Sequence, residues 1–139
     1  MSLIKQIELN DLNEKQLEIF FLGQSGYVLK SKNLIIYIDP YLSNYIEQSK
    51  GLNQGDMIRN YSSPINPSSI TKCDAILCTH SHLDHMDPWT IEGIKTKFNF
   101  YASIGAISKS DVYIPKSRTK FLSPSKPIYI ENFKVFSFP

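Results

Sequence analysis

Three histidines and an aspartate cluster within one short stretch of this sequence. The run THSHLDH at residues 79–85 supplies four candidate metal ligands: His80, His82, Asp84 and His85. The chain has no other histidine. Imidazoles and carboxylates suit borderline and hard divalent ions such as zinc and manganese. In an extended segment His80, His82 and Asp84 would face one side, and a bend would free His85 to reach elsewhere.

The spacing of these ligands predicts a site for one or two ions. His80 and His82 would hold one ion, and Asp84 and His85 the other. Two ions about 4 Å apart can share a hydroxide and hold both the attacking and the leaving oxygen of a hydrolysis. Asp84 would also orient the hydroxide, which makes it the candidate catalytic residue. The alternative is an ordinary polar loop that happens to contain histidine.

A strand and a helix start flank the histidine run. Residues 74–79, DAILCT, form a short apolar stretch that predicts a buried strand. Asp87 and Pro88 favour a helix start, because an N-cap acid accepts backbone hydrogen bonds and proline suits the first helical position. The candidate ligands therefore lie on a loop after the carboxyl end of a strand, where α/β-type folds often place their sites.

Three more strands are predicted upstream. Residues 17–22, 27–30 and 34–38 are rich in β-branched and aromatic side chains, and the turn sequences GQSG and SKN separate them. Strands joined this tightly should form an antiparallel meander. Asp39 follows the third strand. It is either a turn residue or a carboxylate that orients a metal-binding histidine.

The other segments say less about function. Residues 44–72 are polar with scattered glycine and proline, which is typical of either a lid or a surface excursion. Arg59 is a candidate for grasping a substrate anion, and its alternative is a solvated surface arginine. Trp89 is predicted to be a core residue. The remaining predicted elements are helices at 88–95 and 104–109, a strand at 98–102 and a hairpin at 127–138.

Composition and charge fit one globular domain. The 139 residues suffice for one hydrophobic core, so residues 1–139 are predicted to form a single domain. A net charge of +2 with scattered lysines argues against a nucleic-acid partner or a membrane surface. The sequence shows no apolar run of the ~20 residues that a membrane helix needs, and no signal peptide. Cys73 and Cys78 are predicted to be reduced, packed thiols of a cytoplasmic protein.

The sequence resembles the metallo-β-lactamase superfamily, and within it the branch that contains L-ascorbate 6-phosphate lactonase. The resemblance rests on four stretches: LGQSGY at 22–27, IDPYLS at 38–43, CTHSHLDHMD at 78–87, and residues 130–139. It implies an α+β fold in which an αββα sandwich of two mixed sheets is flanked by helices. It also implies a site of one or two zinc or manganese ions.

The resemblance assigns roles to the same residues. It implies that His80 and His82 hold the first ion, that Asp84 and His85 hold the second, and that Asp39 supports the site from the end of a strand. Members of the superfamily complete the site with ligands farther along the chain, and no histidine follows His85 here. We therefore expect only the N-terminal half of the sandwich, with a sheet edge and apolar surface left uncovered.

The functional prediction is a metal-dependent hydrolase of a small, anionic ester or lactone. Its partner would be a small-molecule substrate. One alternative is a phosphodiesterase or nuclease of the same superfamily, against which the missing basic patch argues. Another is a truncated, non-catalytic metal-binding module, because two ligands per ion fall short of the three that a catalytic zinc takes. A homo-oligomer in which a partner chain supplies further ligands stays open.

Overall fold

A mixed six-stranded sheet forms the centre of the computed structural model, which describes residues 1–49 and 59–138. The strands lie in chain order across the sheet: β1 Glu18–Gly23, β2 Gly26–Ser31, β3 Leu34–Ile38, β4 Ala75–Leu77, β5 Asn99–Ser103 and β6 Thr119–Leu122. β1, β2 and β3 pair antiparallel, which confirms the predicted meander. β3 to β6 pair parallel, so the carboxyl ends of these four neighbouring strands lie at the same end of the sheet.

A hairpin begins a second layer against one face of this sheet. It consists of β7 Ile128–Ile130 and β8 Phe133–Val135, and Glu131 in its turn takes a left-handed φ of 49°. Apolar side chains of both hairpin strands pack with Leu34, Ile36, Ala75 and Tyr101 of the large sheet. Alternation along each strand produces this face, since every second side chain points towards the hairpin.

Helices cover the opposite face. They are α1 Leu3–Leu9, α3 Pro88–Gly93 and α4 Ile104–Ser108, each of which places a buried side chain in the main core. A further short helix, α2 Tyr45–Ser49, and single 3-10 turns at Pro67–Ser69 and Lys116–Arg118 lie in the connecting segments. The main core lies between these helices and the sheet, and its buried members include Ile7, Val28, Tyr37, Ile76, Ile91 and Phe100. The predicted α+β arrangement of a mixed sheet with flanking helices is confirmed. Within the described ranges, no helix has the length and apolarity to span a membrane.

Some elements differ from the sequence prediction. Helix α1 and strand β6 were not predicted, because each is short and is stabilised by partners distant in sequence. Lys30 shows this for α1: its buried Nζ donates to the Ile7 carbonyl at 2.6 Å. The polar segment at 44–72 contains α2 and one 3-10 turn, and its central residues, 50–58, lie outside the described residues.

The expected uncovered apolar surface is present on β1. This strand is one edge of the sheet, and the side chains of Ile19 and Phe21 are 62% and 60% exposed. Tyr27, which pairs with Phe21 on β2, is also exposed. Cys73 and Cys78 are buried and free, as predicted.

A buried carboxylate ties the chain after β3 to the start of α3. Asp87 is fully buried and accepts hydrogen bonds from the Ser43 amide at 3.0 Å and the Ser43 hydroxyl at 2.7 Å. It also caps α3 by accepting from the Trp89 amide at 3.1 Å, and it accepts from the Thr90 hydroxyl. Four donors therefore satisfy the two carboxylate oxygens, which is the condition under which a buried charge is tolerated.

We expect Asp87→Asn to destabilise the fold by about 2–4 kcal/mol. The side-chain nitrogen of asparagine donates and cannot accept, so two of the four donors that now bond to the carboxylate would lose their acceptor. Urea unfolding followed by circular dichroism measures the change. The matched control is Asp11→Asn at an exposed acid, which should change the free energy of unfolding by less than about 0.5 kcal/mol. Equal stability of the two variants would contradict this account of Asp87.

Candidate metal centre

The histidine run ends in a turn at Leu83 and Asp84, the bend that the sequence analysis allowed. After β4 the backbone bends, and the amides of His85 and Met86 donate to the His82 carbonyl at 3.0 and 2.8 Å. Met86 is fully buried in the main core, so it anchors the end of the turn. The expectation that alternation continues to Asp84 is therefore wrong, because the turn hydrogen bonds replace an extended backbone from His82 onward.

This turn gathers all three imidazole rings. The His80 and His82 ring centroids are 4.6 Å apart, and those of His80 and His85 are 3.9 Å apart. Asp84 lies beside His85, with its Oδ2 atom 3.7 Å from His85 Nε2. The two pairs named in the sequence analysis are thus both close in space. His80 also contacts His85, so the two pairs adjoin in one cluster.

Asp39 joins this cluster from the end of β3. Its Oδ1 accepts the Thr79 amide at 2.7 Å, and its Oδ2 accepts the Thr79 hydroxyl at 2.7 Å. The same Oδ2 lies 2.9 Å from Nδ1 of His85. Asp39 is buried and has a left-handed φ of 44°, a conformation that costs about 1–3 kcal/mol outside glycine. Such strain persists only where the surroundings enforce it, and it is found most often at functional sites.

The hydrogen bonds around Asp39 determine which nitrogen carries the proton in two of the three imidazoles, those of His85 and His80. A carboxylate only accepts, so His85 Nδ1 must be protonated. The single hydroxyl proton of Thr79 is directed to Asp39, so Thr79 Oγ1 can only accept from His80 Nδ1, which lies 3.0 Å away. Both Nε2 atoms therefore keep the lone pair that binds a metal when the rings are neutral.

Thr79 is a residue that the sequence reasoning did not assign. It lies next to His80 in the run, but a threonine after a strand carries no signal of its own. Its role depends on Asp39, which is 40 residues away in the chain and adjacent only in the fold.

The surroundings of His80 favour its neutral form. Burial lowers the pKa of His80, and the neighbouring His85 and His82 imidazoles lower it further. Since neutral imidazole is the form that binds a metal, this shift keeps His80 ready as a ligand near pH 7.

The residues fit a metal ion as pairs of ligands. The distance of 3.7 Å between Asp84 Oδ2 and His85 Nε2 is close to the roughly 3.4 Å expected between two ligand atoms that both bind the same ion at about 2.1 Å. Within the described part of the chain, no set of three or more histidine, cysteine, aspartate or glutamate side chains is arranged to hold an ion. A catalytic zinc takes three protein ligands, so a working centre needs donors in addition to these.

We expect Thr79→Val to lower zinc affinity by about tenfold and to free the His80 ring to change tautomer. Valine keeps the shape of threonine, but it has no hydroxyl to donate to Asp39 and to accept from His80 Nδ1. Isothermal titration measures the affinity, and imidazole ¹⁵N chemical shifts of the metal-free protein report the tautomer.

Thr71→Val is the matched control for this variant. Thr71 also donates through its amide and hydroxyl to one carboxylate, that of Glu8, at 2.7 and 2.6 Å. Its bonds to Glu8 do not involve Asp39 or His80. A His80 ¹⁵N spectrum that is unchanged by Thr79→Val would refute the proposed role of Thr79.

A match to a family profile agrees with this architecture. The family profile described as "Beta-lactamase superfamily domain" matches residues 18–138. A comparison with curated protein sequences finds no match. Among solved structures, the chain is similar to Igni18, a metallo hydrolase from the hyperthermophilic archaeon Ignicoccus hospitalis KIN4/I, at 16% identity and a TM-score of 0.48. That similarity covers 82% of this chain and 42% of Igni18, so the chain spans less than half of its length. The extent of the profile match shows that this chain belongs to the β-lactamase superfamily domain family.

Proposed function

We propose that this chain supplies metal ligands to a metal-dependent hydrolase of a small, anionic ester or lactone. The observation that carries the proposal is the cluster of three imidazoles. Asp39 and Thr79 form hydrogen bonds with Nδ1 of His85 and His80, which leaves the Nε2 lone pairs of these two rings for a metal. An ordinary polar loop does not require the left-handed backbone at Asp39, nor the hydrogen bonds that hold the His80 and His85 rings.

In this proposal the four ligands act in two pairs. His80 and His82 hold one divalent ion, and Asp84 and His85 hold a second, with zinc or manganese as the metal. A bound ion of this kind lowers the pKa of water and polarises a carbonyl or phosphoryl oxygen. The Asp84 side chain is 40% exposed, so it can reach the attacking water and orient it by accepting a hydrogen bond.

The substrate class rests on resemblance and charge. The stretches at 22–27 and 38–43 resemble the L-ascorbate 6-phosphate lactonase branch, and we propose a substrate of that general kind: a small molecule with an anionic group. The net charge of +2 and the scattered lysines favour a small anion over a nucleic acid. A cytoplasmic location stays a prediction from the two thiols.

A second candidate is a metal-binding module without turnover. It is favoured by one observation, namely that the described residues do not provide three ligands to any one ion. The two candidates share the ligands and differ only in whether hydrolysis accompanies metal binding.

We expect His82→Ala and Asp84→Asn each to abolish binding of the zinc or manganese ion that its own pair holds and, with it, any hydrolysis of lactone and phosphate-ester test substrates. Each change removes one of only two ligands proposed for an ion. Elemental analysis after dialysis measures the bound metal, and the assay measures product release. Ser81→Ala and Asp11→Asn, at residues outside the proposed ligand set, should retain both properties.

Full metal content or full activity in the His82 or Asp84 variant would rule out the ligand assignment. Metal binding without turnover in the unmodified protein would instead favour the non-catalytic module.

A further inference from the structure

The turn between β1 and β2 lies at the same end of the sheet as the candidate metal centre. β2 runs antiparallel to β3, so its first residues adjoin the last residues of β3, with Tyr27 opposite Ile38. A Cβ added at Gly26 would lie only 3.2 Å from the Asp39 carbonyl oxygen, so the end of this turn contacts Asp39. The Asp39 carboxylate bonds in turn to His85. The turn is therefore a neighbour of the proposed metal ligands.

Gln24 occupies a strained position in this turn. Gly23 pairs with Gly26, which leaves Gln24 and Ser25 as the two central residues. Gln24 has a left-handed φ of 50°, and the first central position of such a turn usually holds glycine, asparagine or aspartate. Glutamine is strained in this conformation, and strain of this kind is found most often at functional sites.

Tyr61 fixes the backbone of the turn. Its hydroxyl accepts the Gln24 amide at 2.9 Å, and its ring occupies the place of a Cβ at Gly23. Arg59, two residues earlier, is also held, because its guanidinium carbon lies 4.2 Å from the centre of the Tyr41 ring and its Nη2 donates to the Tyr41 carbonyl at 2.7 Å. The Arg59 side chain is half-buried, so the alternative of a freely solvated surface arginine is wrong. The hydrogen bond from Tyr61 holds the Gln24 backbone and does not use the Gln24 side chain.

The side chain of Gln24 is exposed and available to a ligand. In the described part of the chain, no hydrogen bond involves its side-chain amide, and only its backbone amide is bonded. Gln24 also lines an open groove of about 480 Å³ together with Phe21, Asn60 and Tyr61. A small ligand can therefore reach this residue from solvent.

The described residues contain three non-glycine residues with a positive φ, and they lie at different ends of the sheet. Asp39 and Gln24 lie at the end that carries the histidines, and the Asp39 side chain has a role there in its bond to His85. Glu131 is the first central residue of the other two-residue turn, between β7 and β8, and it shares a wall with Asn33 of the β2–β3 turn at the opposite end. Position therefore separates Gln24 from Glu131, which makes Glu131 a matched control.

We infer that Gln24 binds the substrate of the metal centre through its side-chain amide and helps to determine specificity. A primary amide donates and accepts hydrogen bonds without carrying a charge, so it suits a hydroxyl or carbonyl oxygen of the small anion proposed above. Because Tyr61 fixes the turn, little backbone freedom is lost when a ligand binds there. The inference rests on the proposed function, since it assigns this contact to the ligand of the metal centre.

Gln24→Gly and Glu131→Gly form a matched pair of variants. Each replaces an exposed residue with glycine at the first central position of a two-residue turn, and each relieves the same left-handed backbone. We expect urea unfolding to show similar shifts of the midpoint for both variants. Their effects on ligand binding should differ, because only Gln24 lies beside the metal ligands.

The probe for binding is D-gluconate 6-phosphate, a small anion that carries hydroxyl groups and a carboxylate. Isothermal titration measures its binding to the protein with and without added zinc. We expect Gln24→Gly to weaken binding by about three- to tenfold, which is the loss of one hydrogen bond, and Glu131→Gly to leave it unchanged. The only tryptophan, Trp89, provides a second readout. It follows the histidine run and is 40% exposed, so its predicted place in the core is wrong and its emission can report a ligand at this end of the sheet.

Kinetics with the hydroxyl-bearing substrate D-glucono-1,5-lactone separate a binding role from a structural one. Gln24→Gly should raise KM by a similar factor and change kcat by less than about twofold, because it removes a contact made equally before and during the reaction. Gln24→Asn keeps the amide group and adopts the left-handed backbone more readily, so it should recover part of the lost affinity.

The inference is overturned if the probe binds neither form of the protein, or if Gln24→Gly binds it as tightly as Glu131→Gly does. A fall in kcat without a rise in KM would also contradict it, since the side chain would then support the site and not bind the ligand. Binding that depends on Gln24 in a protein without hydrolysis would refute the proposed function alone.

Discussion

The carboxylate of Asp39 is the junction on which the candidate site depends. β3 and β4 pair in parallel with Ile38 opposite Leu77, and the Asp39 amide donates to the Leu77 carbonyl at 2.9 Å. This pairing places Asp39 beside Cys78, the residue after β4, so the Asp39 side chain can bond to both the amide and the hydroxyl of the next residue, Thr79. The orientation of the His80 and His85 rings follows from those bonds, as does the position of the turn that carries all three histidines.

Two ionic groups hold the loop after β3, and they differ in how completely their hydrogen bonds are satisfied. Asp87 is surrounded by four donors and holds the chain after β3 against α3, which is how a structural charge is stabilised in a core. Arg59 holds the same loop through Nη2 but leaves two nitrogens without acceptors. The first arrangement is complete within the protein, whereas in the second the described residues offer no acceptor to Arg59 Nε and Nη1.

The parallel pairing of the strands explains why the candidate ligands meet at one end of the sheet. Parallel pairing from β3 to β6 brings the carboxyl ends of these strands together, and the loops that follow them carry Asp39 and the histidine run. The hairpin of β7 and β8 covers the face of the sheet opposite the helices. On that same face the apolar side chains of edge strand β1 remain exposed. The fold thus provides a rigid frame for loops that bind, as in other α/β proteins.

The sequence alone determined the features that local pattern controls. The antiparallel strands β1 to β3, the helix that Asp87 caps and the closing hairpin were all predicted, because alternation, turn residues and capping act over a few positions. The candidate ligands were named from residue type and spacing, and their roles stay a prediction.

Only the tertiary structure decided what depends on distant partners. Helix α1 and strand β6 form through contacts far along the chain, and the histidine run leaves the extended conformation at His82. The link from Asp39 through Thr79 to His80 and the stack of Arg59 on Tyr41 join residues about 20 to 40 positions apart. Spacing in a sequence cannot reveal such contacts, because it is the pairing of strands and the packing of loops that bring these side chains together.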